Sequence, residues 1–196
     1  MSNLRELTKE AHQKAERQEF VRIMFSGEMN PELYAAFLYN QFPQYEILEA
    51  FASRFNLLSD IPEVERAKRI YADFQELWNM PNAVPTLCPV VEEYIAYIKG
   101  ISNDPDKIMA HIYVRHMGDL SGGQLIAKKV PGSGTMYQFD GDIDDIKNKI
   151  RAKLNDEMAA EAKVCFNFAT RMFEQMMDFV QYVDEKGDTL EKGPKL

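Results

Sequence analysis

Apolar residues recur along most of this chain at three- and four-residue intervals, and strand-like alternation is absent. Leu4, Thr8, Ala11 and Ala15 form one stripe, which predicts a helix from Ser2 to Arg17 with Ser2 as its N-cap. A short turn of structure from Phe20 to Phe25 ends at Ser26-Gly27. Asn30-Pro31, a capping residue followed by a first-turn proline, opens a helix expected to reach about Leu58. Pro43 lies inside it and is expected to kink it. Ile61-Pro62 opens another helix, to about Trp78. The prolines between Met80 and Pro89 mark a loop. Val90 to Ile101 reads as a helix that stops near Gly100. Asn103-Asp104-Pro105 then opens a helix traced from Asp106 through Ile108, Ile112 and Met117 to Leu125, Ile126 and Val130. Pro131 to Gly141 is a loop. From Asp142 one long helical pattern runs to about Val183. The expectation is an all-α single domain over residues 1–183, with 184–196 as a polar, flexible tail.

The helix beginning at Asp106 carries an anomaly, Gly118-Asp119-Leu120-Ser121-Gly122-Gly123. A glycine inside a helix costs roughly 1 kcal/mol against alanine. At about 100° per residue, Gly118, Asp119, Gly122 and Gly123 fall on one face. That face has no side chains except one carboxylate. It suits either a flat ligand lying on the backbone or a tight helix–helix crossing.

Composition narrows the partners. The 196 residues suffice for one domain with a core, and 45% hydrophobic with 28% charged is an ordinary globular balance. A formal net charge of −8 argues against nucleic acid as the main partner. The two cysteines, Cys88 and Cys165, are far apart, so a disulfide framework is not expected and a reducing cytoplasm is the default. The first residues lack the apolar core of a signal peptide. No run is long enough to span a membrane, and the C-terminal residues show no anchor. A soluble protein is expected.

Histidines are few. His12 sits at the edge of the first apolar stripe, with Arg5 about 10 Å before it along the helix and Glu16 one turn after. A histidine in that position is either a satisfied core residue or a ligand to something flat. Arg115 and Asp119 are one turn apart, as a helix ion pair or as a unit that orders water. Lys147 and Arg151 repeat the spacing, as do Lys149 and Lys153, forming a solvated face or a cationic grip.

Two of these segments together resemble one family. Leu4-Arg5-Glu6-Leu7-Thr8-Lys9-Glu10-Ala11-His12-Gln13-Lys14-Ala15-Glu16 is similar to the proximal-helix motif of haem oxygenases. Tyr113-Val114-Arg115-His116-Met117-Gly118-Asp119-Leu120-Ser121-Gly122-Gly123-Gln124 resembles their distal-helix signature, and Lys147 to Met158 their later basic segment. The likeness spans nearly the whole chain in the right order. It implies a helical bundle with haem between a proximal N-terminal helix and a kinked, glycine-rich distal helix. His12 would ligate the iron, with Glu16 orienting the imidazole. Gly118, Gly122 and Gly123 would let the distal helix lie on the haem. Asp119 would hold a distal water, with Arg115, Tyr45 and Tyr94 extending the network. Arg5, Tyr113, Lys147 and Arg151 match positions that contact the propionates, and Phe166 and Phe173 match pocket-lining aromatics. Two positions depart: His116 stands where the motif often has tyrosine, and Ala169 where some members have an asparagine, although Asn167 is near.

The resemblance implies oxidative cleavage of haem b, at once substrate and cofactor, at the α-meso carbon. The products would be biliverdin IXα, carbon monoxide and ferrous iron. O2 is consumed, and the external reductant would be a ferredoxin-like electron donor, with a downstream bilin reductase as a further partner. Two other readings compete. A non-haem di-iron oxidase on the same scaffold needs paired Glu-x-x-His ligands, which the chain lacks. A non-catalytic haem-binding or haem-trafficking protein would keep His12 but has no need of Asp119 in a glycine wall.

Overall fold

The computed structural model describes residues 2–79 and 84–186, with backbone alone for 181–186. The helices are α1 (Leu4–Leu7), α2 (Lys9–Glu16), α3 (Glu19–Ser26), α4 (Pro31–Arg54), α5 (Ala67–Leu77), α6 (Pro89–Gly100), α7 (Pro105–Ser121), α8 (Gly123–Ile126), α9 (Ile143–Ala152) and α10 (Ala159–Lys186). Short 3-10 turns lie at Pro62–Val64, Thr135–Tyr137 and Asp156–Met158. There is no strand among the described residues, so the all-α expectation holds.

The polar punctuation sets the boundaries. Asn30 Oδ1 accepts from the Glu32 and Leu33 backbone N–H groups at 2.8 and 3.3 Å, with Pro31 in the first turn. Asp104 caps α7 in the same way through the Lys107 N–H. Helix α4 runs through Pro43 without a break but stops at Arg54, short of the expected Leu58. Asn56 there adopts a left-handed backbone, φ 55°, and the Leu57 N–H turns back to the Ala52 carbonyl. The helix expected from Ser2 to Arg17 is interrupted at Thr8, whose hydroxyl donates to the Leu4 carbonyl at 2.8 Å. Ser2 still contributes, since its Oγ accepts from the Leu4 N–H.

The single long helix expected from Asp142 to Val183 is two. Asn155 is extended, and its side chain caps a new start by accepting from the Met158 N–H at 3.2 Å. The apolar rhythm continues across this gap, which hid the cap. Asp156 beside it accepts from Ser2 Oγ and the Asn3 N–H, fastening the N-terminal helices to the start of α10. Helix α10 continues to Lys186, past the expected boundary at 183. Residues 187–196 of the expected tail, and part of the expected loop from Met80, lie outside the described residues.

Two apolar clusters fill the bundle. One gathers α3, the first half of α4, α5 and the later part of α10 around Phe20, Tyr34, Phe37 and Phe179. The other gathers α6, α7, α9 and the early part of α10 around Leu48, Ile98, Ile112 and Cys165. Helix α10 is the shared wall: α2 and α7 both pack on it, yet not appreciably on each other. No helix among the described residues is long and apolar enough to cross a membrane.

Candidate active site

The glycine-bearing helix ends at Ser121, and the chain re-enters helix at Gly123. A methyl group added to Gly118 would meet nothing within 4 Å, and one on Gly122 only the Gly118 carbonyl at 3.8 Å. These two positions form an exposed, bare surface of backbone. Gly123 differs from the one-face expectation. It is buried, and a Cβ there would lie 2.5 Å from Tyr137 Cδ1. Its role is a close crossing with the Thr135–Tyr137 turn, which Gly118 and Gly122 do not share.

That crossing is held by buried charges. The Asp73 carboxylate accepts from the Thr135 N–H, the Thr135 hydroxyl and the Met136 N–H. Arg66, 1% exposed, donates to the carbonyls of Met136, Gln138, Val64 and Glu63, with Phe139 under its guanidinium at 4.0 Å.

Asp119 is buried at 8% exposure, and Oδ2 accepts from the Tyr45 hydroxyl at 2.8 Å. Burial raises its pKa to about 6. Charge on His116, the Tyr45 bond, Arg66 and Arg115 oppose that rise. Arg115 does not form the simple ion pair its spacing allows. Its Nε donates to the Tyr94 hydroxyl at 3.0 Å, and its other nitrogens donate to Gln41 and Gln44. The guanidinium lies over the Tyr94 ring at 4.3 Å.

Behind Tyr94 the polar chain continues. The Tyr94 hydroxyl meets His111 Nδ1 at 2.9 Å, and His111 Nε2 meets Glu161 Oε1 at 2.9 Å. Tyr97 donates to the same carboxylate. The Tyr94 hydroxyl, which accepts from Arg115, is thereby joined through the His111 ring to Glu161. His116, two residues before Gly118, places Nε2 2.9 Å from Glu49 Oε1. Gln41, Gln44, Glu49, Arg66, His111 and Glu161 escaped the sequence reading. The signal available was the i,i+3 pair Gln41 and Gln44 within an otherwise apolar run.

On the N-terminal side His12 is half exposed, with Nε2 3.2 Å from Glu16 Oε1 and Phe166 packed 5.4 Å from its ring. Phe166 is buried under this imidazole. Phe173 stacks beside Phe20 and Phe37, at 6.2 and 6.3 Å, within the core. Arg5 is exposed, Tyr113 and Lys147 are half-buried, and Arg151 is exposed with a bond to Asn148 Oδ1. Lys149 pairs with Asp145, and Lys153 with Asp60 at 2.5 Å, so two of the four basic residues in this stretch already face carboxylates. Ala169 is half-buried and Asn167 exposed on α10. Among the described residues no three His, Cys, Asp or Glu side chains converge as a metal-binding group, which leaves a di-iron centre without a ligand set.

The family model for heme oxygenase matches residues 1–181. This chain belongs to the heme oxygenase family. Heme oxygenase 2 of Macaca fascicularis is 31% identical over 211 residues, covering 95% of this chain and 66% of that protein. The chain thus spans just under two thirds of that relative. Heme oxygenase 1 of Synechocystis sp. is 28% identical over 201 residues, covering 89% and 83%. The solved heme oxygenase of Leptospira interrogans superposes with a TM-score of 0.77 at 31% identity, over 88% of this chain and 97% of that one. The Synechocystis heme oxygenase-1 structure, solved in complex with heme, shares the fold at a TM-score of 0.76 and 22% identity, over 95% and 97%. Membership agrees with the family likeness of the two sequence segments. It also sets the di-iron reading aside.

Proposed function

We propose that this chain binds haem between α2 and α7 and opens it at the α-meso carbon. The products are biliverdin IXα, carbon monoxide and ferrous iron, and O2 is consumed with electrons from a ferredoxin-type donor. The observation that carries the reading is Asp119: a buried carboxylate, held by Tyr45, in a helix whose neighbouring glycines are bare. The residues fit the group. His12 offers a free ring nitrogen beside Phe166, and Gly118 and Gly122 offer a surface with no side chain to displace.

Bound haem supplies the iron that activates O2 and the porphyrin that is oxidised. The protein's part is to hold, orient and deliver protons. Glu16 fixes the His12 ring so that the remaining nitrogen points to its ligand. Lys147 and Arg151, with Arg5 and Tyr113, would hold the propionates by charge and hydrogen bonding and so fix the in-plane orientation of the haem. Asp119 holds a distal water through its second oxygen, Oδ1. An acidity near 6 suits a carboxylate that both accepts and returns a proton close to neutral pH. Arg115, fixed by Gln41, Gln44 and Tyr94, keeps a positive charge beside that water. The hydrogen-bonded chain through Tyr94, His111 and Glu161 extends the network away from the site.

This reading is favoured over a haem-trafficking role, because such a role needs His12 but not a buried carboxylate beside a bare helix. The test is Asp119→Ala. Haem affinity should stay near wild type while biliverdin formation under reductant and O2 falls by more than tenfold. Wild-type turnover in that variant would refute the assignment. His12→Ala should remove the histidine-ligated absorption spectrum, and an unaltered spectrum would mean another ligand. We further propose a soluble, cytoplasmic protein whose bilin passes to a downstream reductase.

A further inference from the structure

Helix α4 carries three buried polar side chains at neighbouring positions of an otherwise apolar run, Gln41, Gln44 and Tyr45. Spacings of three and four residues put them on one helix face. The two amides serve a single group. Gln41 Oε1 accepts from Arg115 Nη1 at 3.1 Å, and Gln44 Oε1 accepts from Arg115 Nη2. The Gln44 amide has only one workable orientation here. Its Nε2 faces two groups that can only accept, the Asn40 carbonyl at 2.8 Å and the Met172 sulfur at 3.0 Å, while its oxygen faces a guanidinium that can only donate. Tyr94 takes the remaining Arg115 Nε proton at 3.0 Å. All three of these acceptors are uncharged.

A buried charge ordinarily takes an opposite charge as its partner where one is in reach. Asp119 is four residues further along α7, the spacing at which arginine and aspartate pair on a helix. The ring of Tyr45 stands beside both groups. The Arg115 guanidinium carbon is 5.5 Å from the centre of that ring, and the hydroxyl of the same ring donates to Asp119 Oδ2 at 2.8 Å. Paired directly, a guanidinium would take both carboxylate oxygens in its fork. Held against α4 by the two amides, Arg115 leaves Asp119 Oδ1 open.

We propose that Gln41 and Gln44 are positioning residues that hold Arg115 against α4 and so keep it off Asp119, whose Oδ1 stays open to a distal water. Without the two amide oxygens the guanidinium keeps one of its three acceptors, Tyr94. The nearest carboxylate along its own helix is then Asp119, and Arg115 closes on it. The glutamines act through Arg115 and carry no chemistry of their own. The use made of Oδ1 rests on the reading of Asp119 given above; the clamp on Arg115 does not.

The test uses the haem-free full chain labelled with 13C-aspartate and carrying Gln41→Leu with Gln44→Leu, its fold checked by circular dichroism. The titration midpoint of the Asp119 carboxyl carbon should fall by about one pH unit or more, the size expected for gaining a direct arginine partner. Adding Arg115→Leu should abolish that fall, which ties it to the guanidinium and not to loosened packing. Gln44→Glu alone keeps an acceptor toward Arg115 and should show no fall. If the double variant does not fold, Gln41→Leu and Gln44→Met are measured singly, each with a smaller fall in the same direction. Supplied with haem, O2 and reductant, the folded double variant should bind haem near wild-type affinity and lose most of its turnover. An Asp119 midpoint that stays unmoved in the folded variants, or that falls equally without Arg115, overturns the proposal. Wild-type turnover by Asp119→Asn overturns the reading of the site instead, and the fall in midpoint would still establish the clamp.

Discussion

Asp119→Asn should make the haem-free protein more stable while impairing its chemistry. The carboxylate is 8% exposed, and its pKa is raised from 3.8 to about 6, chiefly by burial. A raised folded value means that the folded chain binds a proton more tightly than the unfolded one. Wild-type stability from this group is therefore greatest below about pH 4, falls as pH rises toward 6, and stays low above it. Two units correspond to about 3 kcal/mol at 1.36 kcal/mol per unit. Asparagine keeps an oxygen to accept from Tyr45 and carries no charge. Urea unfolding of the apo-protein at pH 8 should show a gain of about 2–3 kcal/mol for the variant, less whatever its new amide donors lose by burial. For a chain of this length that is a rise in midpoint temperature of roughly 5–10 °C. The gain should shrink toward zero below about pH 3, where both states of the wild type hold the proton. Equal or lower stability of the variant at pH 8, or a gain independent of pH, would refute the idea that a buried charge is maintained at this site.

The glycines should separate by role. Gly118→Ala has open space and should leave folding intact or slightly improved, by up to about 1 kcal/mol, yet weaken haem binding measured by absorption titration. Gly123→Ala meets Tyr137 and should lower the unfolding temperature by several degrees; similar stability in both variants would contradict the two geometries. Replacing Lys147 and Arg151 together should yield mixed biliverdin isomers on chromatography, whereas a pure α product at unchanged haem affinity would count against these anchors. Lys149→Glu with Lys153→Glu should slow ferredoxin-supported turnover only a few-fold, since both lysines already face Asp145 and Asp60; a salt-insensitive rate equal to wild type would place the docking surface elsewhere.

The helices were legible where apolar rhythm and caps agree, as at Asn30-Pro31 and Asp104-Pro105. They were misread where a cap interrupts an unbroken rhythm, as at Asn155, because hydrophobic periodicity does not register a polar residue that turns inward to bond backbone. The site divides along the same line. The glycines and Asp119 stand out because they break the rule of their own helix. Tyr45 and Tyr94 were reached only through the family likeness, being ordinary members of apolar stripes. Glu49 and Arg66 look like surface residues, and only the packing of α4 against the start of α5 buries them. Gly123 was grouped with its neighbours by helical angle, but Tyr137, fourteen residues later, takes its face. Such cross-element contacts leave no local trace.

The central claim is that His12, the bare glycine surface and Asp119 together make a haem-opening enzyme. The most direct measurement supplies the purified chain with stoichiometric haem, O2 and a ferredoxin reducing system, and separates the bilins by chromatography while following carbon monoxide release. Biliverdin IXα as the predominant isomer, with one carbon monoxide per haem on the order of a single turnover, is the expected result. Haem that binds, is reduced and persists unopened under the same conditions would contradict it.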